Sequence, residues 1–380
     1  MTAREIPQPS ATENVSKHDP VSTNRIQAHE FNKRGLFIGG AAKSGTTLLL
    51  SLLDNHPQLI VFPEETAYLE HRRDYLKLGS YKARLDLLLK NTNALASPTP
   101  CFDTSPGCGA DLRHYAQFNH KRFAALASEF VNRPWMNDSL LFSETIRAYG
   151  ITLGKDWRNC PRWVEKTPRT ETYPCLFDQL FPDAQLIQVI RDPRAVFASF
   201  KNRIMNNSGS HTKAHRLPRS WNRSARQVPR LRRDPSRFLV VRYEDLIKSP
   251  RAVLETICRF GGFDYCESML EPTRAGNSWL GNSAFYQAFK GISAAPAEHW
   301  KDCLTEDEIW WIELHCRQGM ELAGYPLQTD ARFSFRRWFK RLPGESWFGY
   351  VRARRGSLCQ GLGLLRDCNY EAKTAGTVAH

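Results

Sequence analysis

The chain has 380 residues, 41% hydrophobic and 24% charged, so it can bury a large core and is neither a disulfide mini-protein nor globally disordered. Ten cysteines stand in no CxxC pair and no zinc spacing, which reads as the reduced thiols of a cytoplasmic protein. The formal net charge is +14, and with no stretch near the ~18 uncharged apolar residues of a membrane span, neither such a span nor a secretory h-region is expected.

Residues 1–33 are polar and proline-bearing, and predict a disordered N-terminal arm. Gly35 to Gly40 is a short apolar run suited to a buried parallel strand. A glycine-containing turn follows it, then a helix from Thr46 to Leu53. Residues 68–90 and 113–131 read as helical, joined by a connection rich in proline and glycine. Trp163 to Lys166 is a short strand. Gln185 to Ile190 is a second buried strand that enters a helix at Pro193, a favoured first-turn position. Phe238 to Arg242 is another strand, and Ser249 to Phe260 a helix with Pro250 near its start. Thr305 to Leu322 is an amphipathic helix closed by Gly324 and Pro326. Alternating strands and helices predict an α/β fold with a mainly parallel sheet, in one domain over 34–330 and an extension over 331–380.

The positive charge is local. Lys201 to Arg237 holds eleven Lys/Arg against Asp234 alone, and Ala331 to Ser357 holds eight against Glu345 alone, so the rest of the chain is slightly acidic. Two patches favour a site for an anionic partner over a coat for nucleic acid, for which no specific reader motif is present. The first window, with Pro218, Trp221 and Pro229, reads as a loop or lid beside an anionic substrate. In the second, Phe333, Phe335, Trp338 and Phe339 alternate with Arg336, Arg337, Lys340 and Arg341. That pattern suits peripheral contact with an anionic membrane through 331–357, and equally a basic helix packed on the main domain.

Gly40-Ala41-Ala42-Lys43-Ser44-Gly45-Thr46-Thr47 lies between a strand and a helix. There, backbone N–H groups close on an anion at a helix N-terminus, helped by the Lys43 charge and the Thr46 and Thr47 hydroxyls. In GxxxxGK[ST], the nucleoside-triphosphate loop, a lysine would stand where Thr46 does, which argues against a P-loop kinase or NTPase. The second motif runs from Arg191 to Ser199. Arg191 leaves its strand at the carboxyl edge of the sheet, and Ser199 follows about two helical turns on, so the pair suits a separate phosphate. Asp192 reads as a local cap or an arginine partner.

These residues resemble the PAPS-dependent sulfotransferases, PAPS being 3′-phosphoadenosine-5′-phosphosulfate. Lys43-Ser44-Gly45-Thr46-Thr47 looks like the family's 5′-phosphosulfate loop, and Arg191 through Ser199 like its 3′-phosphate motif. Arg242-Tyr243-Glu244-Asp245-Leu246 and the loop at Lys290-Gly291 also match, and the likeness spans roughly residues 35–326. Asp54-Asn55-His56-Pro57 followed by Pro63-Glu64-Glu65-Thr66 resembles the segment with a glutamate base in the protein-tyrosine and bacterial sulfotransferase branch. Lys43 stands where that branch often has Arg, which keeps the charge and loses the bidentate fork.

The resemblance implies a three-layer fold of the P-loop nucleotide-binding type and transfer of a sulfonate from PAPS to a hydroxyl acceptor, releasing PAP without a metal. Glu64 is the candidate general base and Glu65 its rival, since adjacent carboxylates cannot be ordered from sequence. By the same resemblance Lys43 and Lys166 stabilise the transition state. Lys290 joins Arg191 and Ser199 on the 3′-phosphate, and Tyr243 touches that phosphate or the ribose. Arg194 and Ser283 are lesser candidates, and His56, at a turn before Pro57, reads as structural. The expected acceptor is a glycan or glycolipid first and a peptide tyrosine second. The rival readings are a non-catalytic anion- or membrane-surface-binding protein on the same fold, and a P-loop kinase or NTPase.

Overall fold

A computed structural model describes residues 20–92, 118–205, 217–279, 292 and 297–332. Among these, five parallel strands, β1 (Gly35–Gly39), β2 (Leu59–Val61), β3 (Arg162–Lys166), β4 (Gln185–Ile190) and β5 (Phe238–Arg242), form one sheet in the order β2-β3-β1-β4-β5. Every residue of β1 is buried, because helices cover both sheet faces; that is why it reads as an unbroken apolar run.

The helices are, in chain order, α1 (Pro20–Lys33), α2 (Thr46–Leu53), α3 (Tyr68–Leu76), α4 (Tyr81–Asn91), α5 (His120–Val131), α6 (Asp138–Thr152) and α7 (Pro174–Leu180). They continue with α8 (Pro193–Met205), α9 (Leu217–Ala225), α10 (Val228–Leu231), α11 (Tyr243–Lys248), α12 (Pro250–Gly261), α13 (Trp300–Cys303) and α14 (Glu306–Ala323). Side chains alternate across the sheet. Phe37 turns to one face, against Phe142, Trp163, Phe177 and Phe181. Leu36 and Ile38 turn to the other, with Leu49, Leu53, Leu254 and Ile257 of α2 and α12. Truncating a wholly buried ring such as Phe37 to alanine would cost about 3–5 kcal/mol. A further cluster joins Phe197, Trp221, Trp300, Trp310 and Trp311 across α8, α9, α13 and α14.

The expected strands β1, β4 and β5 and the helix α2 form, and Thr305 begins α14 as a capping-box residue with Glu308. Several expectations are corrected. The stretch 20–33 is no disordered arm: α1 buries Ala28 and Phe31 completely, and the Phe31 carbonyl accepts from Trp163 Nε1 at 2.7 Å. The helix expected over 68–90 is two, separated around Gly79, with Ser80 capping α4. The helix expected from 113 starts at His120, capped by Asn119; residues 113–117 lie outside the described set.

The basic window 201–237 contains helical turns α9 and α10 where a loop was expected, with 206–216 outside the described residues. Arg230 and Arg237 bind Asp178 at 2.6 and 3.1 Å, just ahead of β4 and β5. That part of the window lies at the amino edge of the sheet, opposite the phosphate loop, and is no lid over it. From residue 333 on, the aromatic extension lies outside the described residues.

The chain passes from β1 to β2 at one edge, whereas β4 is followed by β5 at the other. Connections diverging from neighbouring strands open a crevice at their carboxyl ends, the usual ligand position in such sheets. The loops after β1 and β4 both enter it.

Candidate active site

The loop after β1 is built by positive backbone torsions. Gly40 has φ 139° and Gly45 φ 93°, and Lys43 between them takes φ 68°, a region non-glycine residues seldom occupy. A Cβ on Gly45 would overlap the Tyr243 ring, and one on Gly40 would overlap the Val189 carbonyl. Glycine is therefore required at both places. The turn delivers the chain into α2 at Thr46, so the first-turn amides face the crevice with the positive end of the helix dipole. The Ser44 hydroxyl is fully buried and has no hydrogen-bond partner among the described residues. A buried unsatisfied hydroxyl is costly, and it fits a phosphate oxygen in this cradle.

Arg191 emerges after β4 and is buried. Its Nη1 donates to the Lys43 carbonyl at 3.1 Å, and its guanidinium lies 4.3 Å from the Tyr243 ring centroid. The two loops thus touch through this one side chain. Burial pushes the Tyr243 phenol up, and the Arg191 charge pulls it back. Ser199 lies buried on α8. Asp192 caps and pairs as expected, accepting from the Arg194 backbone N at 2.8 Å and its Nη2 at 2.6 Å. Arg194 also binds Glu313 at 2.7 Å and lies 4.3 Å from the Trp300 ring, so it locks α8 to α13 and α14.

The carboxylates Glu64 and Glu65 occupy different environments. Glu64 is buried and accepts from Arg274 Nη2 at 3.1 Å, the same nitrogen that binds the Pro63 carbonyl at 3.2 Å. Glu65 has a side chain 50% exposed and pairs with Lys166 Nζ. Lys166, at the carboxyl end of β3 and itself buried, also donates to Thr47 Oγ1 at 3.2 Å. Lys166 therefore joins the phosphate loop to the second carboxylate. Glu165 next to it accepts from Thr66 N, Thr66 Oγ1 and Thr167 Oγ1 at 3.1, 2.8 and 2.6 Å, all through Oε1. This holds the Pro63–Thr66 turn on β3, and burial pushes the Glu165 carboxyl up.

Lys43, Ser44, Gly45, Thr46, Thr47, Lys166, Arg191 and Tyr243 thus meet at one end of the sheet. Lys290 and Ser283 lie outside the described residues. His56 bonds the Asp264 carbonyl at 2.7 Å and the Gln58 amide at 3.2 Å, away from the crevice. Sequence reasoning placed Trp221 only in an expected loop or lid, and missed Arg274, Arg169, Glu171 and Ser224. Arg169 N binds the Gly40 carbonyl at 2.8 Å, and Glu171 accepts the Gly40 N–H at 2.6 Å. Trp221 and Ser224, three apart, carried a helical-face signal; isolated Arg274 and Glu171 carried none. Among the described residues no three His, Cys, Asp or Glu side chains converge as metal ligands, and no helix is long and apolar enough to cross a membrane.

A protein of Caenorhabditis briggsae named "Putative protein-tyrosine sulfotransferase" is 23% identical over 282 residues, covering 72% of this chain and 83% of that protein. Carbohydrate sulfotransferase 7 of Mus musculus is 30% identical over 101 residues, 25% of this chain and 20% of that protein. The solved sulfotransferase domain of the Synechococcus olefin synthase aligns at TM-score 0.47 and 24% identity, over 77% of this chain and 94% of the domain. The model described as the sulfotransferase family matches residues 35–267, which take in the phosphate loop, both carboxylates, Lys166, Arg191 and Tyr243. By that match across more than half its length, the chain belongs to the sulfotransferase family.

Proposed function

We propose that this protein transfers the sulfonate of PAPS to a hydroxyl of an acceptor and releases PAP. The observation that carries the proposal is Lys166, whose Nζ engages both Thr47 of the phosphate loop and the Glu65 carboxylate. A cation between an anion cradle and a half-exposed carboxylate suits a reaction that takes a proton on one side and develops negative charge on the other. The phosphate loop, with Lys43, Ser44, Gly45, Thr46 and Thr47, would hold the 5′-phosphosulfate. Arg191, Ser199 and Tyr243, with Lys290, would hold the 3′-phosphate and its ribose.

The acceptor oxygen attacks sulfur as the bond from sulfur to the bridging phosphate oxygen breaks. The hydroxyl proton passes to a carboxylate, and the displaced phosphate carries away the bond's electron pair. Lys43, Lys166 and the first-turn amides offset that charge. Glu65 is the better base, in place of Glu64 as expected from sequence. A base must reach the acceptor, and Glu64 is buried against Arg274 whereas the Glu65 side chain is half exposed beside Lys166.

The acceptor hydroxyl belongs to a glycan, a glycolipid or a peptide tyrosine. The tyrosine-named relative covers 72% of this chain and the carbohydrate-named one 25%. Incubation with sulfur-labelled PAPS and panels of glycans, glycolipids and tyrosine peptides tests the reading. Labelled product with stoichiometric PAP supports it, and absence of PAP binding by calorimetry overturns it.

A further inference from the structure

Helix α9 reaches both loops of the crevice from one face. Trp221 is buried, and its Nε1 donates to the Arg191 carbonyl at 2.8 Å. One helical turn on, the buried Ser224 Oγ donates to Glu171 Oε1 at 2.6 Å and accepts from Gln188 Nε2 of β4 at 3.0 Å. The other Glu171 oxygen accepts the Gly40 N–H, also at 2.6 Å. One short helix is thus bonded directly to the arginine loop and, through a single buried carboxylate, to the first residue of the phosphate loop. The helix in turn is seated on α14. Asn222 Nδ2 donates to the His315 carbonyl at 2.6 Å, and a Cβ on Gly319 would come within 2.6 Å of the Trp221 ring.

We propose that α9 is the strut that sets the spacing of the two phosphate cradles, with Trp221 positioning the 3′ cradle and Ser224 with Glu171 positioning the 5′ cradle. The proposal rests on the reading that these loops hold a nucleotide phosphorylated at both positions. Buried hydrogen bonds to the Arg191 carbonyl and the Gly40 N–H narrow the arrangements open to those backbone groups. An arginine loop free to shift loses its aim at the 3′-phosphate, while the 5′ cradle keeps its own tie to Glu171 at Gly40. Trp221 and Ser224 act through the protein groups they bond, so they are positioning residues. The signature of Trp221 is a change in the preference between nucleotides with and without the 3′-phosphate, and that of Ser224 is a parallel change in the affinity for both.

The test is calorimetric titration of PAP and of adenosine 5′-phosphate into the full chain and two variants, with melting curves as the folding control. Trp221→Phe keeps the ring and removes the donor. It is expected to weaken PAP about tenfold, the scale of one lost buried hydrogen bond, and leave adenosine 5′-phosphate within about twofold. Ser224→Ala is expected to weaken both nucleotides alike. Equal losses in Trp221→Phe, or none, overturn the proposal while the assignment of the crevice stands. Failure of the unaltered chain to bind PAP overturns that assignment and the proposal together. Should Trp221→Phe not fold, Ser224→Ala decides: parallel loss supports the strut, and unchanged affinity or loss confined to PAP overturns it.

Discussion

Replacing Glu65 by glutamine separates the two adjacent carboxylates. The Glu65 side chain is 50% exposed and a glutamine oxygen there can still accept from Lys166, so the substitution should cost about 1–2 kcal/mol even though Lys166 itself is 5% exposed. Glu65→Gln should therefore melt close to the parent chain. If Glu65 takes the acceptor proton, turnover should fall about 10²- to 10⁴-fold, equivalent to roughly 3–5 kcal/mol of barrier. PAP affinity should change far less than turnover, because Glu65 reaches the phosphate loop only through Lys166.

Glu64→Gln inverts this pattern. Glu64 is 5% exposed and bound to Arg274, so neutralising it removes a carboxylate charge from beside a partly buried guanidinium. The amide oxygen keeps one acceptor, which limits the cost to about 1–3 kcal/mol, a fall of a few degrees in melting temperature. Initial rates with labelled PAPS, calorimetry with PAP and a melting curve on each variant complete the comparison. Near-normal turnover in Glu65→Gln, together with a hundredfold loss in Glu64→Gln at unchanged melting temperature, would refute the assignment.

Arg191→Ala removes both the tie to the Lys43 carbonyl and the cation over Tyr243, and should weaken PAP by about 10- to 100-fold in calorimetry. Unchanged affinity would show that the loop after β4 does not hold a phosphate. Gly45→Ala forces a methyl into the Tyr243 ring at φ 93°, so PAP binding should fail even where a folded chain is recovered. The buried Glu165 carboxyl is pushed up by desolvation, so the folded chain holds more protons than the unfolded one above the ordinary glutamate value of about 4.3. Its contribution is fully present below that value and is lost as pH rises through the higher folded one. Glu165→Gln, which preserves the Oε1 acceptor, should gain stability relative to the parent chain as pH rises above the ordinary glutamate value in urea melts; a constant difference would contradict this.

The fold class and the glycine-bearing loop after β1 were legible in the chain because they rest on local signals. Buried parallel strands such as Gln185–Ile190 are continuous apolar runs, and the loop around Gly40 and Gly45 declares itself by glycines between a strand and a helix. Helix α6 was not legible. Leu140 through Gly150 are all buried, so no polar face alternates with an apolar one, and the 3.6-residue period is lost. α1 escaped for the opposite reason: its buried contacts, Ala28 and Phe31, are too sparse to mark a stripe.

The order of Glu64 and Glu65 had no local signal at all. Neighbours in sequence have the same residue type and the same turn, and they part company only because Arg274, some two hundred positions later, returns to cover one of them. The same holds for Trp221 and Ser224, whose partners come from β4, the turn after β3 and the loop after β4. Sequence by itself determined which chemistry the chain could hold, because glycines, lysines and strand–turn–helix order act over a few residues. Only the tertiary structure decided which carboxylate Arg274 covers, which one pairs with Lys166, and how α9 is bonded to both loops, because burial and long-range hydrogen bonds exist only once distant segments meet.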